Sequence, residues 1–113
     1  MNKDRQRSVE RLCRSLSIKT SYVKTSLYSQ SLGYLAGIQG FPRNPSVYNG
    51  NELESEMLVF SGMDSELTDR FLTTFKESNL PPIFLKAVVT PTNIFWTPVQ
   101  LYQELMKEHK RFF

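Results

Sequence analysis

Two short apolar runs separated by one helical pattern constrain this chain more than any other feature. Met57 to Phe60 reads Met-Leu-Val-Phe, without a charge. Ile83 to Thr90 is apolar apart from Lys86 and Thr90. Runs of that length, bounded by turn residues, suit strands buried on both faces. Between them Leu67, Phe71, Leu72 and Phe75 recur at helical spacing, behind a Ser61-Gly62-Met63 turn with Asp64 or Ser65 placed to cap. Strand, helix, strand is the pattern of a parallel pair joined by a crossover.

The rest of the chain extends that alternation. Val9, Leu12, Cys13 and Leu16 form one apolar stripe among arginines, which predicts an amphipathic helix over 5–16. Ile18 to Lys24 alternates and is rich in β-branched residues, which predicts a strand. Ser26 to Ala36 reads as a second helix stopped by Gly37. Residues 38–54 form a long surface loop, densest in turn residues up to Gly50, and are either a mobile lid or a connector. Thr97, Pro98 and Gln100 spell a capping box with proline at the first helical position, opening a last helix that runs to about Lys110 with Leu101, Tyr102, Leu105 and Met106 inward. The expected order is helix, strand, helix, strand, helix, strand, helix. That order implies a small α/β domain with a mostly parallel sheet covered by helices, the alternative being a two-layer α+β arrangement. The 113 residues suit a single domain.

Charge and composition narrow the function classes. Residues 1–24 carry Lys3, Arg5, Arg7, Arg11, Arg14, Lys19 and Lys24 against Asp4 and Glu10. No aromatic residue interrupts this basic run before Tyr22, so it reads as a solvated helix face rather than a nucleic-acid platform. No apolar stretch approaches the roughly eighteen residues a membrane span needs, and no signal-peptide core follows the basic start. Cys13 is the single cysteine, which fits a reducing, cytoplasmic compartment.

Several segments in series carry a family resemblance. They are Gly33-Tyr34-Leu35-Ala36-Gly37, Glu56-Met57-Leu58-Val59-Phe60-Ser61-Gly62 and Leu85-Lys86-Ala87-Val88-Val89-Thr90-Pro91-Thr92-Asn93, followed by Trp96-Thr97, Glu104-Leu105 and Glu108-His109. Together they resemble a bacterial family of uncharacterised proteins, the domain of unknown function numbered 3783. The resemblance covers nearly the whole chain and is densest from Glu56 to His109. It implies an apolar strand before the first helix, where this chain has only Met1-Asn2, and an acidic residue where this chain has Ser26. It implies no activity and no cofactor.

Candidate site residues cluster at the strand ends. Thr90, Thr92 and Asn93 follow one strand, and Ser61 and Gly62 follow the other. In a parallel sheet both sets lie at the edge where ligands of open α/β sheets bind. Lys86 inside its strand could hold an anion, or simply reach solvent. Trp96 could line the same hollow, or pack beneath the loop. These residues support a non-catalytic module for an anionic small molecule. Turn chemistry at Pro91, Asn93 and Thr97 explains the same residues without a ligand. A second reading is a protein-interaction domain using the loop and the C-terminal Tyr102, His109, Phe112 and Phe113, or a homodimerisation domain, since absence of the first family strand would leave one sheet edge or apolar face uncovered. An enzyme is the weakest reading, because no nucleophile–base pair stands out. Glu104, Glu108 and His109 do not share a tight helical face, and no metal is expected.

Overall fold

Asn2 opens the first helix. Its side chain accepts the Arg5 N–H at 2.8 Å, and α1 runs over Lys3–Ser15. A computed structural model describes residues 2–111. The elements that follow α1 are α2 (Leu32–Leu35), β1 (Met57–Phe60), α3 (Ser65–Glu77), β2 (Leu85–Val88) and α4 (Pro98–Arg111), with short 3-10 turns at Thr25–Leu27 and Asn93–Phe95. The described residues form two compact units, one from residues up to Tyr22 together with Gly62–Ile83, the other from Val23–Ser61 together with the chain from Phe84 onward.

In the first unit α1 packs against α3. The α1 stripe buries Val9, Leu12 and Cys13, and Phe71 of α3 is 2% exposed. Asp64, rather than Ser65, caps α3 by accepting the Leu67 N–H at 2.8 Å. Leu72 belongs to the same expected stripe but is exposed. Arg5 donates to the carbonyls of Pro81 and Pro82, at 2.6 and 3.2 Å, and so ties the start of α1 to the segment after α3. Both carbonyls thereby share one charged donor.

The second unit holds the sheet. β1 and β2 pair in parallel, with Met57 beside Leu85 and Phe60 beside Val88. The α/β class and the parallel pairing agree with the sequence, but the sheet has two strands. The expected strand over 18–24 is unpaired and largely exposed. It follows Ser17, whose φ of 59° turns the chain into the left-handed region. β2 alternates cleanly: Leu85 is buried and Ala87 half-buried, whereas Phe84, Lys86, Val88 and Thr90 are exposed. The expectation of strands buried on both faces is therefore corrected, because one face of β2 is open and Val59 of β1 is also exposed. α4 packs against β2 and buries Leu101.

The helix expected over 26–36 is broken in two. Ser31 caps α2 by accepting the Tyr34 N–H at 3.1 Å, and Ser29 reaches across to the Ser46 carbonyl. Serines that bond backbone groups favour turns over helix interiors. Gly33 is buried under Phe41, whose ring would lie 2.6 Å from any Cβ at that position.

The loop after α2 contains no helix or strand, yet it is strapped down. Gln30, 2% exposed, donates to the Asn44 carbonyl and accepts the Asn44 N–H, both at 2.7 Å. This single side chain satisfies a backbone donor and a backbone acceptor as a neighbouring strand would. Tyr48 adds its N–H to the Ser26 carbonyl at 3.3 Å and packs its ring on Tyr28, with centroids 5.3 Å apart. Of the two readings of this loop, connector and lid, these bonds favour the connector.

Candidate functional site

The parallel register brings both strands out at one end of the sheet. Val89 N–H donates to the Phe60 carbonyl at 2.9 Å, so Ser61 and Val89 leave side by side, with Thr90 next along the chain. Beyond that point the chain closes on itself. The Asn93 carboxamide oxygen accepts the Thr90 N–H at 2.8 Å, and its NH2 donates to the Val88 carbonyl at 3.0 Å. The Thr90 hydroxyl oxygen accepts the Asn93 N–H at 3.1 Å. Asn93 is 8% exposed, so its amide serves the turn. Trp96, half-buried, donates its N–H to the Asn93 carbonyl and accepts the Leu32 N–H, each at 2.8 Å. That second bond joins α2 to the turn. The capping box follows: Thr97 N–H donates to the Gln100 side chain at 2.8 Å, and Gln100 N–H to the Thr97 hydroxyl at 3.3 Å.

Of the seven strand-end candidates, the structure brings Thr90, Asn93 and Trp96 into one hydrogen-bonded turn, with Ser61 leaving the neighbouring strand. Thr92 is exposed within the turn. Lys86 lies in mid-strand on the exposed face, between Phe84 and Val88. Gly62 adopts φ +67°, a turn conformation that glycine reaches freely, and belongs to the first unit. An open cavity of about 350 Å³ lies elsewhere, in the first unit, lined by Leu16, Glu66, Asp69, Arg70, Thr73 and Thr74. None of the strand-end residues lines it.

The other candidates are similarly placed. Among the described residues no His, Cys, Asp and Glu side chains gather into a metal-binding group. Glu104 pairs with Lys107 at 3.2 Å, and the His109 ring stands 6.5 Å from that of Phe84. Phe112 and Phe113 lie outside the described residues. The Cys13 thiol is pushed above its ordinary value of 9.0 by burial first and by the nearby Glu10 charge second, which suits a small core side chain rather than a nucleophile. No described helix is long and apolar enough to cross a membrane.

Among the described residues β1 has no strand partner other than β2. Its outer edge is Met57-Leu58-Val59-Phe60, with no charge and no proline. β2 carries Lys86, a residue type that blunts exposed edges, and β1 has no such guard. Composition did not single out this edge, because Met57 to Phe60 has the look of a central strand. Only the missing third strand reveals it.

Among the described residues, a two-stranded parallel sheet whose strand ends are closed by turn chemistry defines a small mixed α/β domain. A model of the family described as Domain of unknown function (DUF3783) matches residues 56–112, half of the chain, and the chain belongs to that family. The match begins one residue before β1 and spans α3, β2, the Asn93 turn and α4. No curated protein and no solved structure matches the chain.

Proposed function

We propose that this domain is a non-catalytic interaction module that associates with a second copy of itself through the outer edge of β1. The observation that carries this reading is that, among the described residues, β1 pairs with β2 alone, so no further strand lies along its charge-free, proline-free Met57–Phe60 outer edge. Exposed backbone donors and acceptors on such an edge are a template for another strand. A two-fold axis laying β1 antiparallel on its copy sets Met57 against Phe60 and Leu58 against Val59, so every pair is apolar on apolar. Glu56 then faces Ser61, and no like charges meet. Exposed Val88 on the neighbouring strand and Phe84 just before it add apolar surface. An anionic ligand at the strand ends is less favoured, because Thr90 and Asn93 direct their polar atoms at each other.

Light scattering over a concentration series tests the proposal. The expected result is a mass that climbs from monomer towards dimer, and a Val59→Lys variant that stays monomeric at every concentration. Val59 is 38% exposed, so the lysine should leave the melting temperature nearly unchanged. A wild-type chain that stays monomeric up to its solubility limit sinks the idea, and so does a lysine variant that still dimerises.

A further inference from the structure

Tyr48 folds over its own loop. Its hydroxyl donates to the Asn51 carbonyl at 3.0 Å, and its ring lies against Gly50 so closely that any Cβ there would collide with the phenol. Position 50 must therefore be glycine or force the tyrosine aside. The residue before it is Asn49, which is exposed. Neither the Asn49 side chain nor the Gly50 N–H has a hydrogen-bond partner among the described residues. A free carboxamide followed by a peptide nitrogen that makes no hydrogen bond and belongs to a residue without a side chain is the arrangement that closes a five-membered ring most readily.

We infer that Asn49 is a site of spontaneous covalent modification, converting through a succinimide to aspartate or isoaspartate. The deprotonated Gly50 nitrogen attacks the Asn49 side-chain carbonyl carbon, a C–N bond forms, and the side-chain nitrogen leaves as ammonia. Water then opens the imide. Cleavage at the side-chain carbonyl leaves aspartate; cleavage at the main-chain carbonyl leaves isoaspartate, with the chain rerouted through the side chain. Nothing is oxidised or reduced.

The other described asparagines lack one or more of these conditions. Asn44 precedes Pro45, whose nitrogen carries no proton to lose. Asn93 holds its amide in the turn bonds described above. Asn79 precedes Leu80, whose bulk hinders attack and whose N–H points to the Ser78 hydroxyl at 3.4 Å. Asn51 and Asn2 precede side chains larger than hydrogen, and Asn2 caps α1. Conversion at position 49 adds a negative charge, and in the isoaspartate form an extra backbone carbon, inside the Tyr48 brace that fastens the loop to Ser26 and Tyr28.

The native protein, aged at mildly alkaline pH, is followed by ion exchange and by peptide mapping with an isoaspartate-specific methyltransferase. The expected result is an acidic species that accumulates with time, maps to position 49 and forms faster as pH rises. Asn49→Gln should abolish it, and Gly50→Ala should slow it. A native chain that stays intact at Asn49 while the urea-unfolded chain converts overturns the inference. So does prior conversion at Asn51 or Asn79.

Discussion

Asn93 shows how one side chain can close a strand. Its amide accepts from Thr90 and donates to Val88, and both bonds are partly shielded from water. Asn93→Ala strands that donor and that acceptor, which costs about 2 kcal/mol, since an unmet buried partner costs ~1–3 kcal/mol. Urea unfolding should show this loss. A residue that existed to bind a ligand would instead leave stability unchanged when truncated. Cys13 supplies a pH signature. Burial raises its folded-state pKa above the free-thiol value, so the neutral thiol is the form the fold favours. The unfolded chain loses that proton first. Its contribution is complete below the unfolded pKa, near 9.0, and is lost as pH climbs towards the folded one. Denaturation midpoints should therefore fall more steeply above about pH 9 in the wild type than in Cys13→Ala. Equal slopes in the two proteins would remove the effect. The strand-end candidates were legible because Thr, Asn and Trp in a turn always invite a functional reading. Their roles were not, because a polar atom's partner is a matter of folded geometry. Gln30 left no trace at all, as nothing in a serine-rich stretch marks one glutamine as the strap for Asn44.

At the scale of elements, the capping signals and the parallel β1–β2 pair survived folding, whereas the strand expected at 18–24 and the unbroken helix expected at 26–36 did not. The Thr97–Gln100 box forms as spelled, because capping depends on four consecutive residues. Asp64 likewise caps α3. Thr97→Ala should cost about 1 kcal/mol, and Asp64→Ala a similar amount because its carboxylate also faces the positive end of the helix. Thermal unfolding of the two single variants and of the pair reads both, and near-additive losses are expected from caps that share no hydrogen bond. The strand expected at 18–24 failed for the opposite reason. Ile18, Thr20 and Tyr22 alternate correctly, but a strand exists only where another pairs with it. The same dependence explains β2. Its alternation of buried Leu85 with exposed Phe84 and Lys86 is plain in the sequence once one face is known to be open. Reading the apolar run alone, both faces looked buried.

For the molecule as a whole, net charge opposes the association proposed for β1. Each copy carries +3 at neutral pH, and the antiparallel register joins the copies through backbone bonds and apolar side chains without an ion pair. Screening by salt should then tighten the dimer. Between ~0.01 and ~0.1 M salt the Debye length contracts from about 30 to about 10 Å, which removes most of the repulsion between two small domains. The expected change is a dissociation constant lower by a few-fold, less than tenfold, on sedimentation equilibrium. Raising the pH towards the isoelectric point near 9.1 should act in the same direction. Arg7, Arg11 and Arg14 make the contrary case testable. They are exposed at helical spacing on α1, and an association mediated by that basic face through a bound polyanion would weaken as salt rises. The sign of the salt dependence therefore separates the two surfaces. Val59→Lys should abolish the salt-strengthened association, and replacing the three arginines by glutamine should leave it in place while lowering retention on heparin. Association that weakens with salt and disappears with the arginines would assign self-contact to α1 and leave the edge of β1 without a role.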